Sequence, residues 1–174
     1  MKRFLFLLLT GIFFLTVQTT LLTSPLIQRI RPDLLFVLTL YLGFSLPTLT
    51  GGILAFFLAY LMDLFSGNHL SLYMLSRPLI FVGVQLTKNR FYWQGFPSQF
   101  LFPVVFAHLE GGMFLVFLLT LSPHSLHHFS ITWLDPFLPR SLCTAILTPI
   151  LFSWLHTGMS QFERKDELGL RRKA

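Results

Sequence analysis

The chain has 174 residues, 53% of them hydrophobic and only 11% charged, with 21 phenylalanines and a mean hydropathy of +0.68. Soluble globular proteins carry roughly a quarter charged residues, so this composition excludes an ordinary soluble domain and defines an integral membrane protein. The net charge of +6 comes from dispersed Lys and Arg with no basic, aromatic-interleaved soluble face, which gives no footing for nucleic acid.

Apolar segments fall at about 4–23, 33–49, 51–65, 70–87, 97–121 and 135–157, each ended by turn or charge signals. The expected fold is therefore an all-α membrane protein, a compact bundle of about six transmembrane helices. It forms one domain over residues 1–160, and a charged cytoplasmic tail follows over 161–174. The runs are solidly apolar, which argues against a barrel with its period-2 alternation. The second and third segments are each shorter than the roughly 20 residues of a simple span. Only Pro47 to Gly51 separates them, so a tight hairpin that does not fully cross is one reading.

Lys2 and Arg3 precede the first apolar run as they would in a signal peptide. The run is too long for that role, and Thr20 to Pro25 offers no small-residue cleavage site, so it reads as an uncleaved first helix. With both termini inside, the inner side holds Lys2, Arg3, Lys88, Arg90, Arg164, Lys165, Arg171, Arg172 and Lys173, and the outer side only Arg29, Arg31 and Arg140. This bias favours cytoplasmic termini. The tail QFERKDELGLRRKA, with five basic and three acidic residues, reads as a solvated stop-transfer tail or as a dock for anionic lipid or a cytoplasmic partner.

Arg77 lies near the middle of the fourth segment and Glu110 near the middle of the fifth. A charge buried in hydrocarbon is costly unless paired, so an Arg77–Glu110 contact across the helix interface is expected. With His108 they form an intramembrane polar trio that could line a cavity, or the pair could simply fix helix register. Asp63 falls near the end of the third segment, before the turn residues Ser66, Gly67 and Asn68. Helix C-termini disfavour anions. Asp63 therefore needs a specific partner: a backbone amide of the turn, Arg77 or Arg31. Pro32 and Asp33 are favourable at the start of a helix, where a proline loses no hydrogen bond and an acid meets the positive end of the helix dipole.

His124, His127 and His128 could ligate a divalent ion, but adjacent histidines rarely aim at one metal, and ordinary loop residues are the better reading. No metal or cofactor is expected. Trp133, Tyr92 and Trp93 sit at segment ends, as interfacial anchors do. Gly51, Gly52, Gly111 and Gly112 permit close helix approach. Cys143 is the single cysteine and implies no disulfide or thiol chemistry. No nucleophile elbow, phosphate loop, HExxH or CxxC occurs, so catalysis has no positive evidence.

Between Arg31 and Tyr73 the RPDLL start, the YLGF turn and the DLFSGNHLSLY passage resemble the rod shape-determining protein MreD family of small bacterial inner-membrane proteins. The resemblance implies a non-enzymatic scaffold of cell elongation acting with the bitopic protein MreC, the actin-like MreB and peptidoglycan synthases. It also implies a fold similar to the six-helix substrate-binding subunits of vitamin transporters. Carried onto matching positions, it marks Pro32, Asp33, Asp63, Ser66, Gly67 and Tyr73 as partner-binding or structural residues at the outer end of the bundle. The rival classes are a transporter substrate-binding subunit with Arg77, His108 and Glu110 lining a ligand cavity, and a membrane enzyme using Glu110 and His108 as acid and base.

Overall fold

A computed structural model describes residues 2–20, 32–66, 72–88, 96–121 and 134–171, and helices are the regular elements among them. They are α1 (Lys2–Thr20), α2 (Leu34–Ser45), α3 (Thr48–Ser66), α4 (Leu72–Thr87), α5 (Phe96–Leu121) and α6 (Leu134–Arg171). The windows Arg3–Thr20, Thr48–Phe65, Ser98–Phe117 and Pro139–Gln161 are long and apolar enough to cross a membrane, whereas α2 and α4 are shorter apolar helices. The architecture is compatible with a multi-pass membrane protein.

The short elements are thus α2, as expected, and α4 rather than α3. Pro47 ends α2 sharply, because the residue before a proline leaves the helical region and Leu46 is extended here. The same proline opens α3, and the Gly51 N–H donates to its carbonyl at 2.9 Å. Helix α3 therefore begins before Gly51 and reaches 19 residues.

Helix α2 is the axle of the fold. Its 12 residues are almost uniformly apolar, and Leu35 through Gly43 are buried without interruption. A helix that is hydrophobic on every side is one enclosed on every side. It packs against α1, α3, α4 and α6. The other helices turn large apolar residues outward, among them Leu9 and Phe13 on α1, Ile53 and Phe57 on α3, Leu79 and Leu86 on α4, Leu101 and Leu109 on α5, and Ile146 and Ile150 on α6. A bilayer would solvate that surface.

Inside, one cluster joins α1 to α4 and the later part of α6 through Leu7, Phe14, Leu38, Leu42, Leu54, Leu58, Phe81, Leu155 and Met159. A second ties α2 and α4 to α5 through Phe36, Leu40, Ile80, Val84, Phe106 and Ala107. In lipid, helix association depends on packing rather than on water exclusion, so close approach matters. The YLGF glycine supplies it: a Cβ on Gly43 would stand 2.5 Å from Val84 Cγ1, which locks α2 against α4. Gly51 performs the same service under Phe81, but a Cβ on Gly112 would meet nothing within 4 Å. The close approach expected at Gly112 is absent.

The helices alternate in direction. The end of α1 meets the start of α2 through Gln18 and Asp33, and the end of α3 meets the start of α4 through Asp63 and Tyr73. The starts of α2, α4 and α6 therefore lie at one end of the bundle, called here the polar end. The 161–171 part of the expected tail continues α6 as helix.

Candidate functional site, an intramembrane charge cluster

Four charged side chains from four helices meet below the polar end: Asp33 before α2, Arg77 on α4, Glu110 on α5 and Arg140 on α6. Asp33 is the N-cap of α2, and its Oδ1 accepts from the Phe36 N–H at 2.9 Å. Capping orients the carboxylate along the helix start. Its Oδ2 then accepts from Arg77 Nη2 and, at 2.8 Å, from Arg140 Nη2. Gln18 Nε2 reaches Oδ1 at 3.4 Å, and the Asp33 N–H donates to Thr144 Oγ1 at 3.1 Å. One aspartate consequently gathers α1, α2, α4 and α6.

Arg77 bridges onward. Its Nε lies 2.6 Å from Glu110 Oε1, the contact expected from the depth of the two residues, and Ser76 Oγ donates to the same oxygen at 3.4 Å. The guanidinium carbon lies over the rings of Phe36 and Tyr73, at 5.2 and 5.4 Å from their centroids. Asp33, Arg77 and Glu110 are all buried, and only Arg140, whose side chain is 33% exposed, reaches the surface. Two carboxylates face two guanidiniums, so the cluster is neutral as a set, and each member depends on its partners for the solvation it has lost.

Among the described residues, Arg77 Nη1 and Nε are buried and make no hydrogen bond, so the Nε contact with Glu110 is ionic. Arg77 lines a small pocket otherwise formed by Leu35, Thr39, Leu58, Ala59 and Met62. A second cleft runs between α2, α5 and α6, lined by Asp33, Phe36, Ala107, Glu110, Phe114, Arg140, Ser141 and Thr144. Its floor has room for a water or two rather than for a vitamin-sized molecule.

His108 does not join the trio expected of it. The residue is exposed, with Nδ1 at 2.7 Å from the Val104 carbonyl one turn back, and neither pocket is lined by it. Two positions separate it from Glu110, and that spacing puts them on different helix faces. Arg140, counted as a topological cation from the sequence, takes its place in the cluster.

Asp63 is resolved among its three candidate partners. It is buried near the end of α3, and its carboxylate accepts from the Tyr73 N–H at 3.2 Å and the Met74 N–H at 2.7 Å. Those amides belong to the first turn of α4, whose orphan donors and positive dipole end suit an anion. Asp63 thus caps a neighbouring helix, and Arg77 goes to Asp33 and Glu110 instead. Replacing it should cost about 1–2 kcal/mol: thermal unfolding of Asp63→Ala in detergent is expected to show that modest loss, with Asp63→Asn losing less.

Pro32 is half-buried beside Asp33. Tyr73 is buried edge-on to Phe114 at 5.1 Å. Ser66 is the last residue of α3. Gly67, Arg29, Arg31, the histidines 124, 127 and 128, and the aromatic anchors 92, 93 and 133 lie outside the described residues.

Asp33, Arg77, Glu110 and Arg140 therefore form a network that sequence reasoning found in part. Gln18, Ser76, Thr144 and Arg140 were missed as partners, and the available signal was charge parity: one membrane arginine cannot neutralise two carboxylates. No family model, no curated protein and no solved structure matches this chain.

Proposed function

We propose that the protein is a non-enzymatic scaffold of the bacterial cell-elongation machinery, a multi-pass protein of the inner membrane with both termini in the cytoplasm. In this reading it maintains rod shape by organising peptidoglycan synthesis together with an MreC-like bitopic protein and, through it, MreB and the synthases. The observation that carries the proposal is the Arg31–Tyr73 block and its resemblance to the MreD family, part of which lies within the described residues. Asp33 and Asp63 each fix the start of a helix at the same end of the bundle, and Gly43 seats α2 on α4. A partner stem docking at that end would meet helix starts held by Asp33 and Asp63. The rival reading, a substrate-binding subunit of a vitamin-type transporter, draws on the same six-helix layout, and the confined cleft beside Glu110 gives it little support.

Affinity purification of the tagged protein in mild detergent, with mass spectrometry of proteins and small molecules, separates the two. Recovery of an MreC-like bitopic protein with cell-wall synthases is the expected result. Transporter ATPase subunits or a bound vitamin-like molecule would overturn it.

A further inference from the structure

We infer that α5 and α6 form a hinged hairpin, clamped shut against α1–α4 by two ionic links, Glu110–Arg77 and Arg140–Asp33. The two ends of the hairpin are held in different ways. Away from the polar end the hold is aromatic and apolar: Phe44 meets Phe102 at 5.8 Å and Phe152 at 6.4 Å, Tyr41 meets Phe152 at 5.5 Å, and Leu155 and Met159 sit in the main core.

Toward the polar end the connections become ionic and hydrogen-bonded. Glu110 holds α5 through Arg77 and Ser76, and Asp33 holds α6 through Arg140 and Thr144. The Tyr73–Phe114 edge contact is one apolar exception, and the cluster that Phe106 and Ala107 share with Phe36 and Ile80, just beyond Pro103, is another. The cleft opens along this seam, with Asp33 and Phe36 on one wall and Ala107, Glu110, Ser141 and Thr144 on the other.

Backbone chemistry independently puts a flexible point between the two zones. Pro103 interrupts α5 beside Phe102, and Pro149 interrupts α6 less than one turn before Phe152. Each proline lacks the N–H that would bond the carbonyl four residues earlier, and helices bend at such sites. Both helices of the hairpin are therefore weakened next to their aromatic anchor, with their ionic links beyond it. Parting the seam would expose the Asp33 and Glu110 carboxylates and the Thr144 hydroxyl. Arg140 stands at the rim as the member that water or an approaching anion reaches first.

Spin-label distances in the full chain, on a Cys143→Ser background in lipid nanodiscs, test the device. Leu75 and Val116 are exposed on α4 and α5 near the polar end, and Leu86 and Leu101 are exposed on the same helices at the other end. With cysteines at these pairs, Arg140→Gln is expected to lengthen or split the Leu75–Val116 distance while leaving the Leu86–Leu101 distance unchanged. Adding Pro149→Ala, which restores the missing N–H, should narrow the split. Glu110→Gln serves as the second variant if Arg140→Gln does not insert. Unchanged distances at both pairs would overturn the clamp, and changes at both would show general loosening and overturn the hinge.

Discussion

Asp33→Ala should be the most damaging single replacement of a carboxylate in this protein, lowering stability by about 5 kcal/mol. The expectation follows from what the variant strands. Arg77 keeps Glu110, but Arg140 loses its carboxylate partner, and the first turn of α2 loses the acceptor for the Phe36 N–H. Removing one side of a buried ion pair costs about 3–5 kcal/mol because an uncompensated charge remains, and a lost cap adds about 1 kcal/mol. For a chain of this size that corresponds to a drop of roughly 10 °C in the thermal midpoint. Differential scanning fluorimetry in one detergent measures it. Asp33→Asn separates the two contributions, since the amide oxygen still caps α2 while the charge is gone, and its loss should fall between wild type and Asp33→Ala. If Asp33→Ala cost no more than Asp63→Ala, the bridging of two guanidiniums would be irrelevant to stability. Asp63 faces two neutral amides, and no cation pairs with it among the described residues, so its smaller effect is the natural comparison.

The order of the six helices was legible because each is a solid apolar run bounded by breakers or charges. Their ends were less so, for local reasons. Pro47 both ends α2 and opens α3, so the sequence pattern of Pro followed by Gly-Gly looked like a longer break than it is. Hydropathy falls after Thr157, yet α6 runs on to Arg171. The residues there are mostly good helix formers. The charge cluster was half legible. Arg77 and Glu110 announce themselves as ionisable groups in apolar runs, and their opposite signs suggest each other. Asp33 looked complete as a helix-start acid, and nothing local reveals that it also receives an arginine 44 residues away and another 107 residues away. Proximity of that kind comes from how α2 is enclosed, and a single sequence does not carry it. His108 was misplaced for the opposite reason: nearness to Glu110 in sequence outweighed the helical geometry that turns it outward.

Arg77→Leu is expected to cost roughly 3–5 kcal/mol, since it leaves Glu110 buried with Ser76 as its remaining recorded partner. Glu110→Gln should cost about 2 kcal/mol, because the amide oxygen still accepts from Ser76 and Asp33 still compensates Arg77. The double variant removes both charges together, so its loss should fall short of the sum by about 2 kcal/mol, within the usual range for residues in one network. Thermal unfolding of the four proteins gives the coupling directly, and strict additivity would mean that the 2.6 Å contact carries no net interaction. Under the proposed scaffold role, the same cycle bears on function when read as rescue of rod shape in cells lacking the protein. A pair that only sets the register of α4 against α5 can be replaced by two neutral side chains of similar volume with shape restored, since buried ion pairs are often exchangeable for packed apolar groups. A pair whose charges must separate for the hairpin to open leaves the double variant folded, at the reduced thermal stability the cycle predicts, and still unable to restore shape. The hinged reading predicts the second outcome, and full rescue by the folded double variant would reduce the cluster to architecture.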